Sequence, residues 1–425
     1  MRYTKLLPLI GAIMTIFIAS CDDDDDDKFT KTDPRIKVMS VDGVSKTFII
    51  NDVEQIIYNY DSLKYGTDIT SLSASFYGYD VTPTIYYWDN DEWKRFYNSS
   101  DSSQMLDLTN LRIKSVSTNG ENSKEYTVAL RVHKYDVNAL IWSQCKSLPV
   151  GDEVSSQSAI YDSGTFYYAY TNTDGTSGLL YSADECKSWN ESSSALPEKA
   201  DCSQICVADS KLYVAADSAL YTFTEGSKAE KIDFDGADSI KVVKLLFSMS
   251  DKVWFVGKTA NNYYLCNAKE GTVGTLAASY IKENIVAATC LSGSSTTLGY
   301  VYTSDEKTSM LWAVDNNGHK VTLSTSATSL PTLESPSFAL IDSELCLFGG
   351  KDSKGQYSDK CYASEDGGLT WAEDWHKQLS EDIGGLSGQN TLAVGDELFI
   401  IGGNNSKGVN TKVWKGLLGA AAQTK

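Results

Sequence analysis

His133, His319 and His376 are the three histidines of this 425-residue chain. They lie far apart and none belongs to an HExxH-like pair. A zinc site or a histidine-based triad therefore has no residues from which to assemble. Hydrolysis of a glycosidic bond needs two facing carboxylates instead. Asp352, Asp359, Glu373, Asp374, Glu381 and Asp382 qualify by type. No spacing singles out a pair among them, and solvated loop charge accounts for all six. No glycine-rich loop opens a helical pattern, so nucleotide phosphates have no cradle. Apart from Cys21 there are eight cysteines: Cys145, Cys186, Cys202, Cys206, Cys266, Cys290, Cys346 and Cys361. Cys346 sits inside an apolar run and Cys266 follows Tyr263-Tyr264-Leu265, as small buried hydrophobes do. Mostly free, buried thiols are expected, with Cys202 and Cys206 best spaced for a local bridge. No cysteine spacing suggests a metal cluster. The inventory predicts no metal, no cofactor and no identifiable catalytic residue.

Cys21 stands apart. Arg2 and Lys5 precede an apolar stretch, residues 6–19, that is shorter than the roughly 20 residues a membrane span needs. The stretch ends in Ile18-Ala19-Ser20-Cys21. An aliphatic residue, two small residues and a cysteine resemble the bacterial lipobox, which implies a signal peptide over 1–20 and a lipid on the Cys21 thiol. Six aspartates follow at 22–27. They form a self-repelling, solvated run within a tether over 21–33. The run also resembles the acidic surface-export signal of some Gram-negative lipoproteins. The expectation is an outer-membrane lipoprotein exposed on the cell surface, with a periplasm-facing protein as the alternative. Its membrane contact would be made through the lipid on Cys21.

The formal charge of −19 becomes −21 once a leader carrying Arg2 and Lys5 is removed. Such acidity repels phosphate backbones, so nucleic acid is excluded as a partner. No polybasic stretch offers a footing on anionic lipid.

The elements that would position any site are strands. Tyrosine is frequent (25) and proline scarce (7), and serine and threonine separate short apolar runs, a composition that favours short strands over long helices. Residues 34–136 contain strand candidates at 36–39, 47–50, 84–87, 111–117 and 126–132. The turn Thr118-Asn119-Gly120-Glu121-Asn122 separates the last two. About seven such strands in about 100 residues suggest an immunoglobulin-like sandwich.

From 137 to 418 an apolar strand motif recurs. It begins at Thr165, Leu212, Val253, Thr297, Leu345 and Leu398. Periods of about 40–50 residues with several strands each are the mark of propeller blades. Six copies predict a six-bladed β-propeller. The last blade is one strand short, and the segment 139–143 is predicted to complete it and so close the ring. Residues 419–425 form a tail. The fold class is thus all-β.

Two motifs lie between outer strands. Ser364-Glu365-Asp366-Gly367-Gly368-Leu369-Thr370-Trp371 matches the Asp box of sialidase-type repeats, Ser-x-Asp-x-Gly-x-Thr-Trp, at every fixed position. The physical reading is structural. Asp366 accepts backbone N–H groups, Gly368 permits positive φ, and Trp371 packs beneath the turn, with Ser364 and Thr370 completing it. Ser182, Asp184, Ser188 and Trp189 repeat the pattern, but Cys186 replaces the glycine and puts that turn's geometry in question. The pairs Gly349-Gly350 and Gly402-Gly403, each after an apolar strand, resemble kelch repeats. Tyr362 and Trp371 fill the kelch Tyr and Trp positions loosely. Lipobox, acidic tether, immunoglobulin-like domain and kelch or Asp-box propeller together resemble a surface-lipoprotein family of uncharacterised function.

A sialidase clamps its substrate carboxylate with three arginines. The last arginine here is Arg131, so the propeller region has none, and that mechanism is excluded. The leading expectation is a non-catalytic binding module for a glycan or a partner protein. Tyr161, Tyr167, Tyr168, Tyr170, Tyr263, Tyr264, Trp312 and Trp375 are the candidate stacking aromatics. The alternatives are a glycoside hydrolase or lyase with an unrecognised carboxylate pair, and a structural subunit of an envelope complex.

Overall fold

A computed structural model describes residues 32–45, 47–79, 81–98, 104–234, 239–291, 297–341 and 343–422, without the side chains of 289–291. The expected leader 1–20, Cys21 and the acidic run 22–27 lie outside the described residues. The chain divides into two compact units, Met1–Asp136 and Val137–Lys425.

The first unit is a two-sheet β-domain. Val38–Val41, Leu72–Tyr77 and Met105–Leu106 form one sheet. The other runs Phe48–Asn51, Ile56–Asn59, Ser123–Val128, Arg112–Val116, Thr84–Asp89 and Glu92–Phe96 in spatial order. Alternate residues of both sheets, among them Met39, Phe76, Ile57, Ile113 and Tyr126, meet in one core. The turn at 118–122 closes a hairpin, with Asn122 O accepting the Ser117 N–H at 2.9 Å. The strand expected over 126–132 instead ends at Val128. Beyond it Arg131 leaves the ladder and is held by Asn59, whose Oδ1 accepts the Arg131 N–H at 2.7 Å and whose Nδ2 donates to Arg131 O at 2.8 Å.

In the second unit the described strands form six four-stranded antiparallel sheets and one two-stranded ribbon. The first strands of the six are Val154–Asp162, Ala200–Ala208, Lys241–Met249, Asn284–Leu291, Ser337–Ile341 and Asn390–Val394. Each packs against the next, and Asn390–Val394 packs back against Val154–Asp162, so the series closes on itself. The recurrent apolar motif falls on the second strand of every sheet: Thr165–Asn172, Lys211–Ala216, Lys252–Lys258, Thr297–Ser304, Glu344–Phe348 and Glu397–Ile401. These strands are covered on both faces, which is why their apolar runs are unbroken: Val253–Val256, Leu345–Phe348 and Leu398–Ile401 are buried throughout.

Six apolar clusters hold the unit together, one in each gap between neighbouring sheets. Trp254 and Trp312, almost fully buried, meet between the third and fourth sheets. Side chains of this kind each contribute on the order of 2–3 kcal/mol by leaving water. Phe166 and Phe399 meet between the sixth sheet and the first, with ring centroids 4.6 Å apart. The sixth sheet takes its fourth strand from upstream of the first: Leu140–Gln144 pairs antiparallel with Trp414–Leu418 along five residue pairs. The seven described cysteines are free. Cys202 and Cys206, the pair best spaced for a local bridge, stay apart because the two thiols point to opposite faces of one strand. Cys202 joins the cluster toward the first sheet and Cys206 the cluster toward the third.

Candidate functional site

Three places in the second unit combine space with polar groups. The first is the axial channel. The six first strands enclose a cavity of about 520 Å³ lined by residues such as Ala159, Val207, Phe247, Ala287, Phe338 and Leu392. Its polar lining is hydroxyl and amide: Tyr161, Gln204, Ser248, Ser337, Gln389, Asn390 and Thr391. Ser337, Gln389, Asn390 and Thr391 bond across neighbouring sheets, whereas Ser248 Oγ and Gln389 Oε1 are buried without a hydrogen-bond partner among the described residues. Asn390 Oδ1 accepts the Ala159 N–H at 2.8 Å, and Gln389 Nε2 donates to Phe348 O at 2.9 Å and to Ser337 Oγ at 3.1 Å. Among the described residues lining the channel there is no carboxylate, histidine, lysine or arginine.

The second place is the pair of turns that resemble Asp boxes. Asp366 Oδ1 accepts the N–H groups of Leu369 and Thr370 at 3.0 and 2.9 Å, and Thr370 Oγ1 donates to Asp366 Oδ2 at 2.6 Å. Asp184 does the same with Lys187, Ser188 and the Ser188 hydroxyl, at 3.1, 3.0 and 2.7 Å. Ser364 and Ser182 each donate to the aspartate and accept the N–H of residue 368 or 186. Gly368 has φ +100°, and the buried Cys186 reaches φ +61°, so the cysteine adopts the turn at the cost of left-handed backbone. The side-chain hydrogen bonds from Thr370 and Ser188, together with the backbone donors, hold both carboxyls well below the usual range, at about 2.

Both tryptophans reach the preceding sheet. Trp371 Nε1 donates to Ser324 Oγ at 3.1 Å, on the outermost strand of the fourth sheet. Trp189 Nε1 donates to Lys146 O at 3.0 Å, just beyond the strand that completes the sixth. The turns are staples between sheets, with their polar groups saturated internally.

The third place is a pocket of about 580 Å³ on the outer half of the fifth sheet, lined by Glu344, Glu365, Asp366, Glu373, Asp374 and Trp375 among others. Trp375 is 65% exposed and its ring stacks on His376, centroids 3.5 Å apart. Lys377 is buried beneath, with Nζ 2.5 Å from Glu344 Oε2 and 2.9 Å from Asp374 Oδ2. Lys360 pairs with Glu373 at 2.7 Å.

Of the eight aromatics singled out by type, Tyr168 and Trp312 are fully buried and Tyr161, Tyr167, Tyr170, Tyr263 and Tyr264 half-buried, so Trp375 alone presents a largely open ring. Of the six carboxylates, Glu373 and Asp374 reach the pocket, whereas Asp352 is spent on a turn, accepting the N–H groups of Lys354 and Gln356. His319 pairs with Asp315 at 2.9 Å in an exposed turn remote in sequence from His376. Sequence reasoning missed Lys377 and Glu344, because their pairing spans 33 residues.

Residues 136–422 match the DUF6242 beta propeller domain, and residues 21–130 match the N-terminal domain of the same domain of unknown function. No curated protein matches the chain. Among solved structures it is similar to YjhT, at 13% identity and TM-score 0.45 over 64% of this chain and 96% of YjhT. It is also similar to Trypanosoma rangeli sialidase in complex with 2,3-difluorosialic acid, at 12% identity and TM-score 0.39, over 67% of this chain and 60% of the sialidase. The exo-beta-1,3-galactanase from Phanerochaete chrysosporium with galactose gives 14% identity and TM-score 0.34, over 64% of each chain. The two domain matches together span most of the sequence, and the chain therefore belongs to the DUF6242 family.

Proposed function

We propose that this chain is a non-catalytic recognition module displayed from the outer membrane on a lipid attached to Cys21, facing the cell surface. In this reading the acidic tether over 21–33 holds the folded body off the membrane. An immunoglobulin-like domain serves as spacer. A six-bladed propeller of kelch and Asp-box type, closed by Leu140–Gln144, carries the ligand, a glycan or an envelope protein. The closed cycle of six sheets supports the blade count, and the two facing sheets of the first unit support the spacer assignment.

One observation carries the non-catalytic part. The cavity that the six first strands enclose is lined by apolar, hydroxyl and amide groups, of which Asn390, Gln389 and Ser337 link neighbouring sheets. Cleaving a glycosidic bond requires two carboxyl groups facing one substrate. In the outer pocket of the fifth sheet Glu344, Glu373 and Asp374 are ion-paired with lysines and Asp366 is bonded within its turn, whereas binding requires only shape and a few placed polar groups. The test is retention of the purified full chain on a polysaccharide panel, with reducing ends assayed in the same samples. Retention without release is expected. Release of reducing ends above background would overturn the non-catalytic reading.

A further inference from the structure

We infer that the pocket bearing Trp375 is a binding subsite for neutral polysaccharide. This rests on the recognition reading above and names its ligand class and its place. The second unit holds seven tryptophans, and the other six are buried or half-buried. Leaving an indole this open forgoes the burial that the other six obtain, and its one ring contact among the described residues is the stacking on His376. The ring rests on the His376 ring, and the backbone that carries both is held in place. Asp374 Oδ1 accepts the His376 N–H at 2.9 Å, the Asp374 N–H is bound by Cys361 O at 2.9 Å, and the Lys377 ammonium clamps Asp374 from below. A ligand would meet a platform already ordered, so little conformational entropy is lost on binding.

The chemistry around the platform selects the ligand. A fixed indole face stacks on the C–H face of a sugar ring. Carboxylates accept hydrogen bonds from sugar hydroxyls, and Glu365, Glu373 and Asp374 line the same pocket. Two of these are neutralised by Lys360 and Lys377, while Glu365 takes no ion pair among the described residues. The pocket is therefore acidic on balance. Uronate or sulfate groups would be repelled there, and an uncharged sugar presents hydroxyl donors without that cost.

The experiment is affinity electrophoresis of the full chain in detergent. Laminarin, xyloglucan and mannan serve as neutral probes and polygalacturonate as the anionic one. At least one neutral probe should bind, with polygalacturonate weaker by about tenfold or more at low salt. Trp375→Ala should weaken that binding by about tenfold or more, and Trp375→Phe should stay within about threefold of the original. Because the ring is exposed, the unfolding midpoint of both variants should match the parent, which separates lost contact from lost fold. Equal binding by parent and Trp375→Ala would overturn this site and leave the recognition reading standing. Binding of none of the four probes would overturn this site and the glycan form of the recognition reading, leaving an envelope protein as the ligand. Preference for polygalacturonate would overturn the ligand class.

Discussion

Gly403 donates its backbone N–H to Gln157 Oε1 at 3.0 Å, and Gln157 Nε2 returns a bond to Gly403 O at 3.1 Å, across 246 residues of chain. The contact joins the sixth sheet to the first, across the seam that the chain itself crosses between Leu140–Gln144 and Val154–Asp162. Tyr168 adds its hydroxyl to the same amide oxygen at 2.8 Å. The neighbouring Gly402 sits at φ +71°, and a Cβ there would lie 2.5 Å from Gln157 Oε1. A glycine pair after the second strand is thus what lets a glutamine from the next sheet close in.

Gln157→Ala is expected to destabilise the propeller by about 2–4 kcal/mol, because it strands the Gly403 N–H and the Tyr168 phenol in a buried place, while Gly403 O keeps the Asn410 N–H. Urea unfolding followed by tryptophan fluorescence measures it. A loss below about 0.5 kcal/mol would show that water or a shifted side chain replaces the amide.

Asp366→Ala should lower stability by about 1 kcal/mol at pH 7, since it removes the acceptor for two turn N–H groups. The folded carboxyl titrates at about 2, below its unfolded value of about 3.9. A depressed carboxyl contributes stability above the unfolded pKa and loses it as pH falls through the folded one. The gap in unfolding temperature between parent and variant should therefore narrow between about pH 4 and pH 2. A gap that stays constant over that window would mean the carboxylate charge plays no part.

These two cases also show what the sequence could reveal. The second strands were legible because residues such as Val253–Val256 need cover on both faces and so read as unbroken apolar runs. The turn at 364–371 was legible because all its hydrogen bonds are local. Cys186 was not, because the Ser182 and Asp184 bonds that carry it to positive φ are visible only in the folded turn. Trp375 could not be told from Trp312, since exposure depends on which sheet lies opposite. Gln157 gave no signal at all, its partner lying 246 residues away in sequence.

Burial pushes the Cys202 and Cys206 thiols up to about 12 and that of Cys266 to about 11. At pH 8 only about one in 10³–10⁴ of these groups would be thiolate, the reactive form. Iodoacetamide at pH 8 should leave all three unmodified in the folded chain and alkylate them fully in 6 M guanidinium, as read by peptide mass mapping. Rapid native-state alkylation of Cys202 or Cys206 would mean that the clusters flanking the second sheet open readily.

Leu140–Gln144 is the strand on which closure depends. Its partner Trp414–Leu418 would otherwise expose a row of unpaired N–H and C=O groups. The strand is also tied sideways to the fifth sheet's outer loop: Leu140 N–H donates to His376 O at 3.1 Å and Trp142 Nε1 to Gln378 O at 3.2 Å. A fragment beginning at Val137 should fold. One beginning at Lys146 should lose about 10 °C in unfolding temperature, the equivalent of about 3–5 kcal/mol in a unit of this size, and should aggregate through the open edge. A synthetic peptide covering 137–146, added in excess, should restore most of the loss by occupying the vacant edge. Equal unfolding temperatures for the two fragments would show that the six apolar clusters close the ring without this strand.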